Sequence, residues 1–225
     1  MVADEVASVE ARAGAAPWRG RAGPLRLATR YAILVAGLFC FALGLVLTLK
    51  AALGLGPWDV FHWGLKRHTG LTFGQANIIV SLVVLLVAWA LGQRPRVGTV
   101  LNMLLVGTFV DLIVRSGVIP SVEHHAWPLR LAVDLAGVAV VGLGTAFYIK
   151  GDLGAGPRDG LMLVLTRRSG RPIALVRGSI ELSVLVVGFF LGGTAGPGTL
   201  VFALGIGPAV AGAFKLFRIN TQAKR

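Results

Sequence analysis

The chain has 225 residues, of which 55% are hydrophobic and 14% charged, with a mean hydropathy of +0.77. Soluble domains carry roughly a quarter charged residues, so an ordinary soluble fold is excluded, and apolar runs of spanning length exclude disorder as the main state. The formal charge of +12 is no nucleic-acid signature, because the basic residues cluster between apolar runs without interleaved aromatics, as lipid anchors and topology signals do.

Residues 1–29 are polar, interrupted by Pro17 and Pro24, and read as a disordered cytoplasmic tail. The following run, 31–49, is about 19 residues long and exceeds the 7 to 15 of a signal-peptide core. It reads as an uncleaved spanning helix whose start is held inside by Arg12, Arg19, Arg21, Arg26 and Arg30. The single cysteine, Cys40, lies in this run; one thiol excludes an internal disulfide and reads as a small packing residue. Five further runs, 73–92, 98–114, 131–149, 173–192 and 198–217, are long enough to cross a bilayer at about 1.5 Å per residue. A linker, 116–129, separates residues 30–115 from 130–217, and 218–225 forms a second cytoplasmic tail.

Shifted by 100 positions, residues 30–115 lie over 130–215 without a gap, with about 26 identities in 86 positions. Matched pairs include Gly37/Gly137, Gly44/Gly144, Gly54/Gly154, Pro57/Pro157, Asp59/Asp159, Gly98/Gly198, Thr99/Thr199 and Gly107/Gly207. One unbroken register over that length indicates two copies of one structural unit.

Each copy carries Leu-Gly-x-Gly-Pro-x-Asp followed by a stretch ending in Thr-Gly or Ser-Gly. Pro57 and Pro157 suit a first helical position, Asp59 and Asp159 the first turn, and Gly70 and Gly170 the stop. The resulting helices, 57–69 and 157–169, are roughly 20 Å long against a hydrocarbon core of about 30 Å. Two readings stand: half-helices entering the membrane beside a Gly-rich break, or amphipathic helices at the interface. A Gly-rich break at matching positions of two halves favours the first and points to a transporter-type site.

The expected fold is therefore all-α, a bundle of six spans from two three-helix repeats, each with a short Gly-Pro-x-Asp helix. Eight spans with parallel repeats is the alternative. Both topologies place 17 of the 22 Lys and Arg inside, so charge does not choose, and helix length favours six. Both termini are then cytoplasmic.

Charged residues inside apolar runs face a partner or a cavity. Arg177 and Glu181, four apart, suit either a self-neutralising pair or a ligand-binding pair. The same spacing offers Arg115 to Asp111 and Arg130 to Asp134. Asp59 and Asp159 suit first-turn carboxylates or, with Arg158, a site for an anionic substrate group where the short helices begin. Trp58, His62 and Asn102 would complete that pocket; Trp58 equally suits an interface anchor and His62 a packing role. Gly188, Gly192, Gly205 and Gly207 suit close helix packing. No H-E-x-x-H or G-x-S-x-G motif occurs, so no enzyme, no cofactor and no metal site is expected.

The stretch 54–62, Gly-Leu-Gly-Pro-Trp-Asp-Val-Phe-His, with Thr69-Gly70, Gly74, Arg94-Pro95, Gly98-Thr99, Asn102, Gly107 and Asp111, resembles the YczE/YyaS-type bacterial integral membrane proteins, relatives of the YitT group. The second half is similar to them in 154–162, Gly-Ala-Gly-Pro-Arg-Asp-Gly-Leu-Met, and in Arg177, Glu181, Gly192-Gly193, Gly198-Thr199 and Gly207-Pro208. Arg96 departs from the pattern, which has Gly there. The resemblance implies a multi-pass, permease-like protein of the bacterial plasma membrane, distantly grouped with substrate-binding components of energy-coupling-factor transporters. A small-solute transporter or transporter component is thus expected, with a small-molecule or anionic substrate at Trp58, Asp59, His62, Asn102, Arg158, Asp159, Arg177 and Glu181. The alternative is a membrane scaffold or accessory protein. The bilayer is the first partner, a protein partner or homo-oligomer a further one, and nucleic acid is none.

Overall fold

The computed structural model describes residues 27–217; of the tails expected at 1–29 and 218–225, residues 1–26 and 218–225 lie outside the described residues, while 27–29 form the first turn of a helix. Eight helices, and no strand, occur among these residues: α1 (Leu27–Ala51), α2 (Pro57–Thr69), α3 (Phe73–Ala90), α4 (Val97–Ser116), α5 (Trp127–Lys150), α6 (Pro157–Ser169), α7 (Ile173–Phe190) and α8 (Pro197–Leu216). Six of them, all but α2 and α6, are long and apolar enough to cross a membrane. The bounds of α2 to α4 and α6 to α8 correspond at the offset of 100 to within a residue.

Local chemistry sets these bounds. Pro57 and Pro157 open α2 and α6, where a missing N–H removes no helical bond, and Gly70 and Gly170 close them at φ 67° and 64°. At α3, Thr72 Oγ1 accepts from the Gln75 N–H at 3.1 Å while Gln75 Oε1 accepts from the Thr72 N–H at 2.9 Å, a reciprocal cap. Arg96 before α4 has φ −103°, extended backbone open to any residue, and this is why the turn accepts Arg in place of Gly.

At the centre α1 and α5 run antiparallel in close contact. Arg30, at the start of α1, donates to the carbonyls of Gly151 (2.9 Å) and Asp152 beyond the end of α5. Arg130, at the start of α5, donates to Ala51 (3.0 Å) and Ala52 at the end of α1. Each guanidinium thus satisfies carbonyls that a helix end leaves without partners. Between these ends the helices touch backbone to backbone. A methyl group at Gly44 would lie 2.6 Å from the Val141 nitrogen, and one at Gly144 2.4 Å from the Phe41 nitrogen. Leu34, Leu38, Val46, Val110, Val141 and Val210 fill the core around this seam.

The halves also interlock at the breaks. The Gly98 N–H at the start of α4 donates to Leu153 O at 2.8 Å, and the Gly198 N–H at the start of α8 donates to Leu53 O at the same distance. Helix α2 packs on α7, with Gly188 against Phe61, and α6 packs on α3.

Three expectations about polar and small residues are corrected. Arg130 is engaged at the end of α1 and not with Asp134, which is fully buried with neither carboxylate oxygen hydrogen-bonded. Asp111 bonds Thr72 and the Gly74 N–H (2.9 Å), joining α4 to the start of α3, and no bond ties it to Arg115. Gly188 packs closely, but a methyl at Gly207 would meet nothing within 4 Å.

Candidate functional site: a charged cavity where the short helices begin

Positions 100 residues apart in the chain meet here. The Arg158 guanidinium, from the first turn of α6, lies 4.9 Å from the centroid of the Trp58 ring, from the first turn of α2. A cation over an indole face gains about 0.5–2 kcal/mol depending on its desolvation. The starts of α2 and α6 are thereby brought together from opposite halves of the chain.

A cavity of about 120 Å³ opens beside this stack, and every one of the eight helices contributes to its wall. Trp58, Asn102, Arg158, Asp159, Arg177 and Glu181 line it, six of the eight residues expected from the sequence. Asp59 and His62 are not on its wall. They are buried one layer behind, and His62 Nε2 lies 3.4 Å from Arg158 Nη2. His62 is thus wedged between Arg158 and Asp59. Nδ1 faces Asp59 Oδ1 and Asn77 Nδ2, each at 3.4 Å. At 3.4 Å the Asp59 oxygen is within ion-pair reach but outside good hydrogen-bond geometry, and no hydrogen bond satisfies it. The His62 ring is further held edge-on against Phe73, with centroids 5.8 Å apart.

The two first-turn aspartates behave differently. Asp159 Oδ2 accepts from the Gly156 N–H (3.1 Å), capping its own helix, and from the Tyr148 hydroxyl (3.0 Å). Asp59 turns toward His62; the residue 100 positions further on is Met162. Arg177 Nε donates to Glu181 Oε1 at 2.9 Å along the α7 face that lines the cavity. The charged lining thus comprises two cations, Arg158 and Arg177, and two carboxylates, Asp159 and Glu181. Such a balanced set suits a zwitterion or neutral polar solute better than a bare anion, since an added anion also meets both carboxylates.

Sequence reasoning missed Asn77, Ser81, Thr145 and Tyr148, which supply further hydrogen-bonding groups to the wall, and Phe41, Phe202 and Ile206, which supply apolar surface. Polar residues inside otherwise apolar runs were the available signal for Asn77, Ser81 and Thr145. Among the described residues, no three His, Cys, Asp or Glu side chains gather as a metal site.

A profile of the family of unknown function DUF6198 matches residues 28–215. The chain belongs to this family. Its relatives include the uncharacterized membrane protein YczE of Bacillus subtilis (strain 168), 37% identical over 180 residues, which cover 79% of this chain and 82% of that protein. An uncharacterized protein of Haemophilus influenzae (strain ATCC 51907 / DSM 11121 / KW20 / Rd) is 36% identical, covering 79% of this chain and 80% of its own length. The uncharacterized protein YyaS of Bacillus subtilis (strain 168) is 27% identical, covering 73% and 82%. No solved structure matches significantly. The DUF6198 profile covers both short helices and the whole cavity wall of this chain.

Proposed function

We propose that this DUF6198 chain is a small-solute transporter, or the membrane component of one, that binds its solute in the cavity between the starts of α2 and α6. The observation that carries the reading is the Trp58–Arg158 stack, in which equivalent positions of the two halves meet beside a polar cavity walled by all eight helices. Broken helices whose starts face a common site are the recurring architecture of transporter binding sites. In this reading Arg158 and Arg177 take the anionic group of the solute, Glu181 and Asp159 a cationic group, and Asp59 and His62 hold Arg158 in place. The solute crosses or is handed on without a catalytic step.

The halves are read as inverted repeats of three spans, with α2 and α6 as half-helices entering from opposite faces. The antiparallel run of α1 and α5 supports this, because three spans between their starts reverse direction whereas four restore it. With the positive-inside rule both termini fall on the cytoplasmic side of a bacterial plasma membrane.

A thermal-shift screen of amino acids, phosphoamines, small anions and vitamins on the purified full chain tests the function. Hits are expected to stabilise the wild type and not Arg158→Gln or Glu181→Gln. If both variants insert and purify yet keep every hit, the cavity is not the site. If no solute shifts the wild type while both variants lose stability and a protein partner co-purifies, the scaffold reading replaces transport.

A further inference from the structure

The two halves are not equally closed. In the first, α3 and α4 pack directly: a methyl at Gly74 would lie 2.0 Å from Gly107 O, and one at Gly107 2.3 Å from Gly74 O. Asp111 fastens this contact by accepting from Thr72 Oγ1 and the Gly74 N–H. The backbones of their counterparts α7 and α8 hardly approach each other. The most apolar stretch of α3 is 50% buried, that of α7 only 11%.

The sequence of the second half explains the gap. The positions equivalent to Thr72, Gly74 and Asp111 are Pro172, Ala174 and Ala211. Pro172 and Ala211 lack the hydroxyl and the carboxylate of the fastening. The Ala174 methyl would occupy the place that at Gly74 is closed off by a carbonyl oxygen at 2.0 Å. Helices α7 and α8 therefore cannot adopt the close approach of α3 and α4, and Gly207, the counterpart of Gly107, has open space.

Both helices that flank the gap also wall the cavity. Arg177, Ile180 and Glu181 line it from α7, and Phe202, Ile206 and Val210 from α8. The outer faces beside the gap, with Leu182, Phe190, Leu200 and Leu204 exposed, are apolar on two helices of spanning length, so the opening faces hydrocarbon. A second groove, about 520 Å³ between α3 and α7, shares Trp58 and Ile180 with the cavity but otherwise offers only apolar groups and serine hydroxyls.

We propose that the α7–α8 gap is a lateral portal and that the cavity takes the zwitterionic head group of a membrane amphiphile, an amino-phosphate lipid, whose acyl chain stays in the gap. Arg158 and Arg177 meet the phosphate, Glu181 and Asp159 the ammonium group, and the chain lies against Phe202 and Ile206. The proposal rests on the solute-site reading above and names the substrate class of that site.

Native mass spectrometry of the full chain in maltoside micelles tests it with three probes: palmitoyl-lysophosphatidylethanolamine, palmitoyl-lysophosphatidylglycerol and free phosphoethanolamine. The ethanolamine lysolipid is expected to bind at least about tenfold more tightly than either of the others, since each loses a charge-assisted contact or the apolar chain. Arg177→Gln and Glu181→Gln should each weaken it by about tenfold or more. Gly207→Trp, which fills open space, should block the lysolipid and spare phosphoethanolamine; Val83→Trp, in the α3–α7 groove, should spare both. Phosphoethanolamine binding as tightly as the lysolipid, with Gly207→Trp inert, overturns the portal and leaves the solute site standing. Equal binding of the glycerol lysolipid overturns the zwitterion assignment. A wild-type dimer that Gly207→Trp dissociates makes the gap an interface between copies and overturns the portal. Failure of the wild type to bind any probe overturns the amphiphile assignment, while solute hits in the thermal-shift screen would still uphold the site.

Discussion

Adding one methyl group to the α1–α5 seam tests the arrangement on which the site depends. In Gly44→Ala the new carbon would lie 2.6 Å from the Val141 nitrogen and 2.7 Å from Gly137 O, both backbone atoms that no rotamer change removes. Ordinary contact begins near 3.4 Å, so the helices must part by about 0.8 Å at this point. A gap of that size forfeits about a quarter to a half of each van der Waals contact it opens, and overpacking of this kind costs about 1–3 kcal/mol. Gly144→Ala, 100 residues on in the other helix, should cost at least as much, its methyl lying 2.4 Å from the Phe41 nitrogen. Because one parting relieves both clashes, the double variant should fall short of the sum by at least about 0.5 kcal/mol. Gly178→Ala, with nothing within 4 Å, is the control and should be neutral or stabilising by up to about 1 kcal/mol. Equilibrium unfolding of the purified protein in mixed dodecyl-maltoside and SDS micelles reads all four. Wild-type stability in Gly44→Ala, or strict additivity in the double variant, would refute the antiparallel seam.

Three further outcomes are expected. Single cysteines at His68 and Arg168, in a Cys40→Ala background, should react with an impermeant maleimide from opposite sides of the membrane; same-side labelling would establish eight spans and parallel repeats. Asp134→Leu should raise stability by about 1–3 kcal/mol in the same micelle assay, since it removes a buried carboxyl with no hydrogen bond and installs the residue found at the equivalent core position, Leu34; a loss would reveal a partner that Asp134 needs. Arg130→Met should cost about 1.5–3 kcal/mol, because the Ala51 and Ala52 carbonyls lose a charged donor, and Lys at this position should recover only part of that by the same measurement.

The helices and their ends were legible in the sequence because their causes are local. Run length and hydropathy mark six spans, and the Gly-Pro start with a Gly stop marks the two 13-residue helices. Comparing the chain with itself also exposed the correspondence at 100 residues, and so the expectation that positions such as 58 and 158 serve one site. Asp111 and Asp134 show where this reach ends. Spacing of four residues suggested Arg115 and Arg130 as partners, a rule for neighbours on one helix. In the folded chain Asp111 is taken by the start of a neighbouring helix and Arg130 by the end of the antiparallel one.

By itself, then, the sequence determined a basic, all-helical membrane chain with two short helices at matching places and a set of charged residues with nowhere apolar to go. Only the tertiary structure decided which of those charges converge. Trp58 and Arg158 are 100 residues apart, and Asn77, Ser81, Thr145 and Tyr148 sit in runs apolar on every side, where no periodicity marks the inward face. It also decided that α3 and α4 close while α7 and α8 do not. The difference lies in Gly74 and Asp111 against Ala174 and Ala211, one methyl and one carboxylate whose effect exists only once two helices are brought to contact distance.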